Sequence, residues 1–514
     1  MWEYFIHFKF GILLYSALVV SGAVENCKVK ILNGTIIGRC VGTTNANKKV
    51  CAYSAIPYAL APIKELRFKK VDSQSSGNLP VMIWFHGGAF TVGSSLAYTP
   101  TKLLGRGDIV LVVVHYRLGT LGFLSTGDEF SPGNYGLKDQ AQSIRWVNEN
   151  IHAFGGNPNL VTIFGESAGG ASVIYQLLTP LNKGLIHGAI AQSGTALSHW
   201  AIDKTPLTSA KTIAKRLACP VNSSAKLVNC LREKKWEAIV AEQRKFTNDC
   251  YSNMTYAVAT MTPVVEPILP GAFITEEPVN IMKNGDMSNV PIMIGATKHD
   301  GSFILANLYL AKLGPEKLDE NPDYMRVELI PNLLRFFRVT EDEADKDVSA
   351  TVQLAYFPEV NRSSWNDTMP GLVDFISVFA FKSAIQNTAD LLSKRNLSVF
   401  LYSFEHHSQN TLWPFFFNFK SVPVSSGIAH ADDLMYLFDL PAKFSTEDQI
   451  FSEIVCDLWL NFSKFGNPTP SRDSRFEQWP TYNVEDESFM KLNITPTALR
   501  GYRTSWRPNG FEPS

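Results

Sequence analysis

Leu160-Val161-Thr162-Ile163-Phe164-Gly165-Glu166-Ser167-Ala168-Gly169 decides the fold, because it sets an apolar run directly against a small-residue corner that holds a serine. The run reads as a buried strand, and Gly170 to Leu178 reads as the helix behind it. Glycines at 165 and 169 let the backbone take the strained strand-to-helix turn that lifts a hydroxyl out of a sheet. The helix N-terminus then aims oriented N–H groups at the same place, where they favour developing negative charge. Ser167 is the candidate nucleophile. Small-residue turns also recur by chance in a chain of this size, so the context has to decide.

The context is an upstream apolar strand, Val81-Met82-Ile83-Trp84-Phe85, running straight into His86-Gly87-Gly88-Ala89-Phe90. Acyl transfer needs donors for an oxyanion. Backbone N–H groups in such a turn, with the N–H of the residue after the nucleophile, supply them, each contributing roughly 3 to 4 kcal/mol of barrier lowering. The bland alternative is a plain glycine hairpin, and the downstream serine corner argues against it.

With these motifs the chain resembles the type B carboxylesterases and cholinesterases of the α/β-hydrolase superfamily, most closely the general esterases of arthropods. The likeness runs through Gly133-Asn134-Tyr135-Gly136-Leu137-Lys138-Asp139-Gln140, Phe154-Gly155-Gly156-Asn157-Pro158 and Gln192-Ser193-Gly194. It implies that Gly88, Ala89 and Ala168 are the oxyanion donors. The family usually has a third glycine where Ala89 stands, and an N–H donor survives there so long as φ suits a Cβ.

The remaining members of a catalytic triad should follow in the order acid, then histidine. His430, in Ser426-Gly427-Ile428-Ala429-His430-Ala431-Asp432-Asp433-Leu434, matches the family's histidine loop, with His406-His407 as competitor. Asp300, after the expected strand Val290 to Gly295, fills the acid slot. Most relatives carry glutamate there, so the shorter carboxylate requires its loop to sit closer to the imidazole; the alternative is an aspartate bonding its own turn. Glu166 is expected as an electrostatic neighbour in the substrate pocket. Trp200 matches a position that lines the acyl pocket in relatives. Trp413-Pro414-Phe415-Phe416-Phe417 reads more readily as core than as pocket.

The 514 residues are 45% apolar, carry a formal net charge of -1, and show no long linker, repeat or low-complexity run. One domain is expected, with no nucleic-acid partner, no cofactor and no metal site. Lys9 before the apolar run Gly11 to Val20, then Ser21-Gly22-Ala23, reads as a secretory signal over residues 1–23, ahead of an esterase domain over 24–514. An uncleaved anchor is the alternative; the run is short for a span. Secretion fits sequons beginning at Asn33, Asn222, Asn253, Asn361, Asn366, Asn396, Asn461 and Asn493. Seven cysteines then face an oxidising compartment. The resemblance implies a Cys219–Cys230 disulfide and leaves Cys27, Cys40, Cys51 and Cys250 unassigned, while Cys456, in an expected helix from Gln449 to Phe465 whose apolar positions Ile450, Ile454, Leu458 and Phe462 mark a buried face, reads as a free core thiol.

Ile109 to Val114 is a continuous apolar run, as in a strand buried on both faces, and Leu137, Ala141, Ile144, Val147 and Ile151 recur at helical spacing. The expectation is a central, mostly parallel twisted sheet flanked by helices. One departure is sharp. Relatives place a longer segment, including a strand of the central sheet, where this chain has only Lys69 to Pro80. Either an exon is missing from the transcript or the enzyme is a shortened form. The implied function is serine hydrolysis of a small ester, the rivals being an impaired variant and a non-enzymatic adhesion or binding protein on the same fold.

Overall fold

The computed structural model describes residues 12–16, 27–31, 34–42, 49–56, 78–255, 261–337, 346–357, 364–417, 422–471 and 473–506. Thirteen strands run through them: β1 (Ile12–Ser16), β2 (Lys28–Ile31), β3 (Gly34–Ile37), β4 (Arg39–Gly42), β5 (Lys49–Ile56), β6 (Leu79–Phe85), β7 (Val110–Val114), β8 (Gly156–Glu166), β9 (Gly188–Gln192), β10 (Ile292–Thr297), β11 (Val399–Phe404), β12 (Phe489–Leu492) and β13 (Thr497–Leu499). Eleven make one sheet in the order β13-β12-β11-β10-β9-β8-β6-β7-β1-β5-β4, and β2 and β3 form a separate pair. From β7 through β12 every neighbour is parallel.

The parallel part follows from sequence. Each residue of β7 is buried, and β6 sends Val81, Ile83 and Phe85 into one core and Met82 and Trp84 into the other. Crossover helices supply both covers. Tyr135–Asn150, between β7 and β8, buries Leu137, Ala141, Ile144 and Val147 as its periodicity predicts, and Ala168–Leu178 follows β8. Thr446–Phe465 covers the opposite face, begun by a capping box between Ser445 and Asp448. Its buried side is Phe451, Val455, Leu458, Trp459 and Phe462, while Ile450 is 51% exposed. Of the expected face, Leu458 and Phe462 are buried, but Ile450 points outward and Ile454 is only partly covered, because Phe451, not Ile450, reaches Tyr436.

The other flank is built differently. The run read as a leader supplies β1, which pairs antiparallel with β7 from Ile12↔Val114 to Ser16↔Val110, and with β5 from Ile12↔Ile56 to Ser16↔Cys51. The expected cleavage residues 21–23, and residues 69–77 of the short segment 69–80, lie outside the described residues. Among the described residues two disulfides form, Cys219–Cys230 and Cys27–Cys51, and Cys40, Cys250 and Cys456 take part in neither. Burial pushes the Cys456 thiol up to about 12, consistent with an inert core cysteine.

Four sequon asparagines, Asn222, Asn253, Asn366 and Asn396, are exposed. Asn461 differs: its amide donates to Pro468 O at 3.1 Å and Asp473 Oδ2 at 3.0 Å. Asn33 and Asn361 lie outside the described residues. The helical stretch Trp365–Ser393 is long and apolar enough to cross a membrane, yet 72% of its apolar window is buried within the fold.

Candidate active site

β8 delivers Glu166 to the sheet edge, and Ser167 takes φ 58 and ψ −123 before the helix Ala168–Leu178 begins. A residue with a Cβ held at positive φ costs about 1–2 kcal/mol, so its surroundings must impose it. They do. Ser167 N donates to Gln192 O at 2.8 Å, while a Cβ on Gly169 would lie 1.9 Å from Phe85 O and one on Gly194 2.0 Å from Ser167 O. Only glycines let three chain segments meet beneath this serine.

β6 ends beside it. Gly88 has φ 114, Ala89 φ 53 and Phe90 φ 60. Thr91 N and Val92 N both donate to Gly88 O at 2.9 Å, and Gly119 N to Phe90 O at 2.7 Å, which fixes the turn. His86 braces it from below: its ring stacks on Tyr116 at 4.5 Å, and Tyr116 Oη donates to His86 O at 2.7 Å. Burial holds His86 down to about 3, so it is neutral. Among the described residues, the N–H groups of Gly88, Ala89 and Ala168 donate to no protein acceptor. Ala89 thus keeps its donor at a left-handed φ despite its Cβ.

The acid and histidine meet across 130 residues of sequence, with His430 Nδ1 and Asp300 Oδ1 2.8 Å apart. Asp300 is fully buried, and its other contacts are charge-orienting: Thr297 Oγ1 at 2.8 Å, Thr297 N at 3.2 Å and Ser193 Oγ at 2.9 Å. Asp300 is the residue at which the helix Gly301–Leu308 begins, and from there its short carboxylate reaches His430 Nδ1. Asp432 anchors the histidine loop by accepting from Ala429 N at 2.9 Å, Leu412 N at 2.8 Å and Thr411 Oγ1 at 3.0 Å.

The far nitrogen of His430 faces Glu166, with Nε2 3.1 Å from Oε1. That approach lacks hydrogen-bond alignment, since Oε1 has no hydrogen-bond partner, so the attraction is Coulombic. Among the described residues no hydrogen bond joins His430 to Ser167. Burial pushes Glu166 up to about 8 against the opposing pull of His430. Burial alone would lower His430, but Glu166 and the Asp300 bond outweigh it and hold the imidazole up near 9. The two groups titrate as a pair.

His406, the competing base, lies elsewhere: its Nε2 is 3.0 Å from Asp448 Oδ1 and its ring stacks on Phe451 at 4.1 Å, while His407 is exposed. Trp200 stands one layer back. Its Nε1 donates to Ala380 O at 2.9 Å and its ring is 6.0 Å from Phe381, which lies 4.7 Å from His430. A π-helical turn, Val378–Lys382, presents both Ala380 O and Phe381, and such turns often mark functional sites. The aromatic cluster reaches the site through Phe303, whose ring is 5.5 Å from His430, 5.4 Å from Phe416 and 5.6 Å from Phe417.

Sequence reasoning missed Ser193, Thr297, Phe303, Phe381 and Asp433. Asp433 accepts from Gln192 Nε2 at 2.7 Å, directly under the serine corner, and burial lifts it to about 6. The adjacent motif Gln192-Ser193-Gly194 held the one available signal, since each of its three residues touches the machinery.

Comparison with known proteins bears on this arrangement. The profile described as "Carboxylesterase family" matches residues 70–507. Human bile salt-activated lipase is 33% identical over 437 residues, covering 82% of this chain and 54% of that protein. The bovine protein of that name is 33% identical over 433 residues, covering 81% and 68%. Mouse neuroligin-3 is 29% identical over 455 residues, covering 84% and 52%. The chain thus spans about half the length of the human lipase and of neuroligin-3.

Proposed function

The chain belongs to the carboxylesterase family, and from that premise we propose that it hydrolyses carboxylic esters through an acyl-enzyme on Ser167. The observation that carries this reading is the meeting of a serine at φ 58, three undonated N–H groups, and a His430–Asp300 pair at 2.8 Å. Ser167 attacks the ester carbonyl as His430 takes its proton. The oxyanion is received by the N–H groups of Gly88, Ala89 and Ala168. His430 returns the proton to the leaving alcohol, then activates water to release the acid. Asp300 holds Nδ1–H, which leaves Nε2 as the acceptor for the serine proton.

In the resting arrangement Nε2 faces Glu166, so His430 turns toward Ser167 when a substrate arrives. Glu166 stabilises the imidazolium once it forms, from the side away from Asp300. Phe303 and Phe381 form apolar walls suited to a small acyl or alcohol group. The two disulfides support an oxidising, extracellular setting.

The likeness to neuroligin-3 supports a second reading, a binding protein that has kept an esterase-like interior. One experiment separates the two. Purified protein is offered a short-chain chromogenic ester and a fluorophosphonate probe: turnover with labelling at Ser167 is expected, and absence of both would leave the binding reading standing.

A further inference from the structure

The bond between His430 and Asp300 depends on how two loops from distant parts of the chain are registered against each other. One side chain does the registering. His299 N donates to Ile428 O at 3.0 Å, and Ile428 N donates back to His299 Nδ1, also at 3.0 Å. The pair closes like a rung of sheet, with one backbone group replaced by an imidazole. It lies one residue before the acid and two before the base. Gly427, at φ 53, makes the approach possible, since a Cβ there would stand 2.4 Å from His299 Nδ1.

The direction of the second bond fixes the ring's chemistry. Nδ1 accepts, so its proton resides on Nε2 and the ring is neutral. Burial first, then the charges of Lys382 and Lys298 and the nearby His407, hold His299 down to about 3. Those lysines are in turn faced by carboxylates: Asp374, Asp300 and Glu405 act on Lys382, and Glu405 Oε2 lies 3.8 Å from Lys298 Nζ.

We propose that His299 is a positioning residue for the hydrolytic reaction, a neutral acceptor that locks the acid-bearing loop to the histidine-bearing loop and thereby sets the contact between Asp300 and His430. The proposal rests on the Ser167–His430–Asp300 reading. It predicts an effect that mere packing does not produce. When the register loosens, Asp300 supports the imidazolium less, His430 titrates lower, and the acid limb of the rate profile moves down in pH.

His299→Phe keeps the ring and removes the acceptor, whereas His299→Asn places an amide oxygen where Nδ1 stood. His299→Phe is expected to lower kcat about tenfold with KM within about twofold, in the range of lost supporting contacts around a reactive group, and to move the acid limb down. His299→Asn should recover most of both. Gly427→Ala perturbs the same contact from the opposite loop and should reproduce the His299→Phe profile should that variant fold poorly. The titration of His430 by proton NMR, assigned against His430→Gln, reads the register without any turnover. A lowered His430 pKa in His299→Phe supports the proposal even in a protein that hydrolyses nothing, a result that would fault the esterase reading alone. An unchanged His430 pKa and acid limb, or a His299→Asn that behaves like His299→Phe, overturns it.

Discussion

The sheet has two unlike flanks around β6. On the β8 side, strands follow one another through crossover helices, all parallel as far as β12, and Ser167 and Asp300 sit just past the ends of β8 and β10. On the β7 side the neighbours are antiparallel, and the first of them, β1, comes from the opposite end of the chain's order. The reactive flank is specified locally, each strand carrying its own turn chemistry. The other is completed by a segment whose composition serves a second purpose equally well. One flank carries the candidate nucleophile and acid, and the other completes the sheet.

Breaking the reactive flank should give the largest change. Ser167→Ala is expected to lower turnover by at least about 10⁴-fold, with residual rate from the oxyanion donors alone, while the thermal midpoint stays within a degree or two of the parent. Steady-state kinetics beside calorimetry checks both, and a rate lost only together with the fold would mean the serine is structural.

Breaking the other flank should do the reverse. β1 and a cleaved leader exclude one another, because the residues that pair with Val110 to Val114 are those a signal peptidase would remove. Removing residues 1–23 leaves β7 and β5 with unpaired ladders, and each uncompensated buried backbone group costs on the order of 1–3 kcal/mol. The truncated protein is expected to melt several degrees lower and to aggregate. A form carrying a relative's segment between Phe68 and Leu79 should surpass both. Equal midpoints, yields and turnover in all three would show that the slot beside β7 needs no strand. N-terminal mass spectrometry of the expressed protein tells which form cells make.

A subtler effect sharpens the electrostatics of the reactive flank. Glu166 and His430 both sit above their ordinary values, so the pair holds its proton as pH rises past neutrality. The base works only when neutral, and kcat/KM should climb through the alkaline range. Glu166→Gln removes the carboxylate that holds the proton, so His430 falls and the acid limb shifts down by about 1 unit. No shift, or one upward, would mean Glu166 does not act on the base.

The smallest expected change is at Ala89. Ala89→Gly relieves about 1 kcal/mol of left-handed strain but restores chain freedom worth nearly as much, so rate and midpoint should stay close to the parent. A rate fall of tenfold would show that the Cβ itself positions the turn.

How much could be read beforehand follows the same division. The placement of Ser167, Asp300 and His430 in turns and loops was legible because each lies in a short stretch whose turn residues announce its geometry. Ser193, Thr297 and the approach of Glu166 to His430 were not, since each is a meeting of chain segments, and one sequence records spacing but not convergence. The face of the helix Thr446–Phe465 was misjudged at Ile450 because isoleucine fits a core or a rim equally. The Cys27–Cys51 bond required the register of β5. An uncharged apolar run near the start satisfies the rule for a leader and the rule for a doubly buried strand, and nothing local separates them.

β1 also orders events in time. The first strand made must wait for β7, which emerges about a hundred residues later, on the order of 10 s at ordinary synthesis rates. β5, its other neighbour, emerges sooner, but until β7 follows the apolar segment keeps one ladder open, and whatever recognises such segments reaches it before the sheet is complete. The fate of Ile12–Ser16 is therefore decided by a race, not by relative affinity, and slowing or hastening synthesis between residues 16 and 110 would change how many molecules keep the strand without altering a single contact in the finished fold.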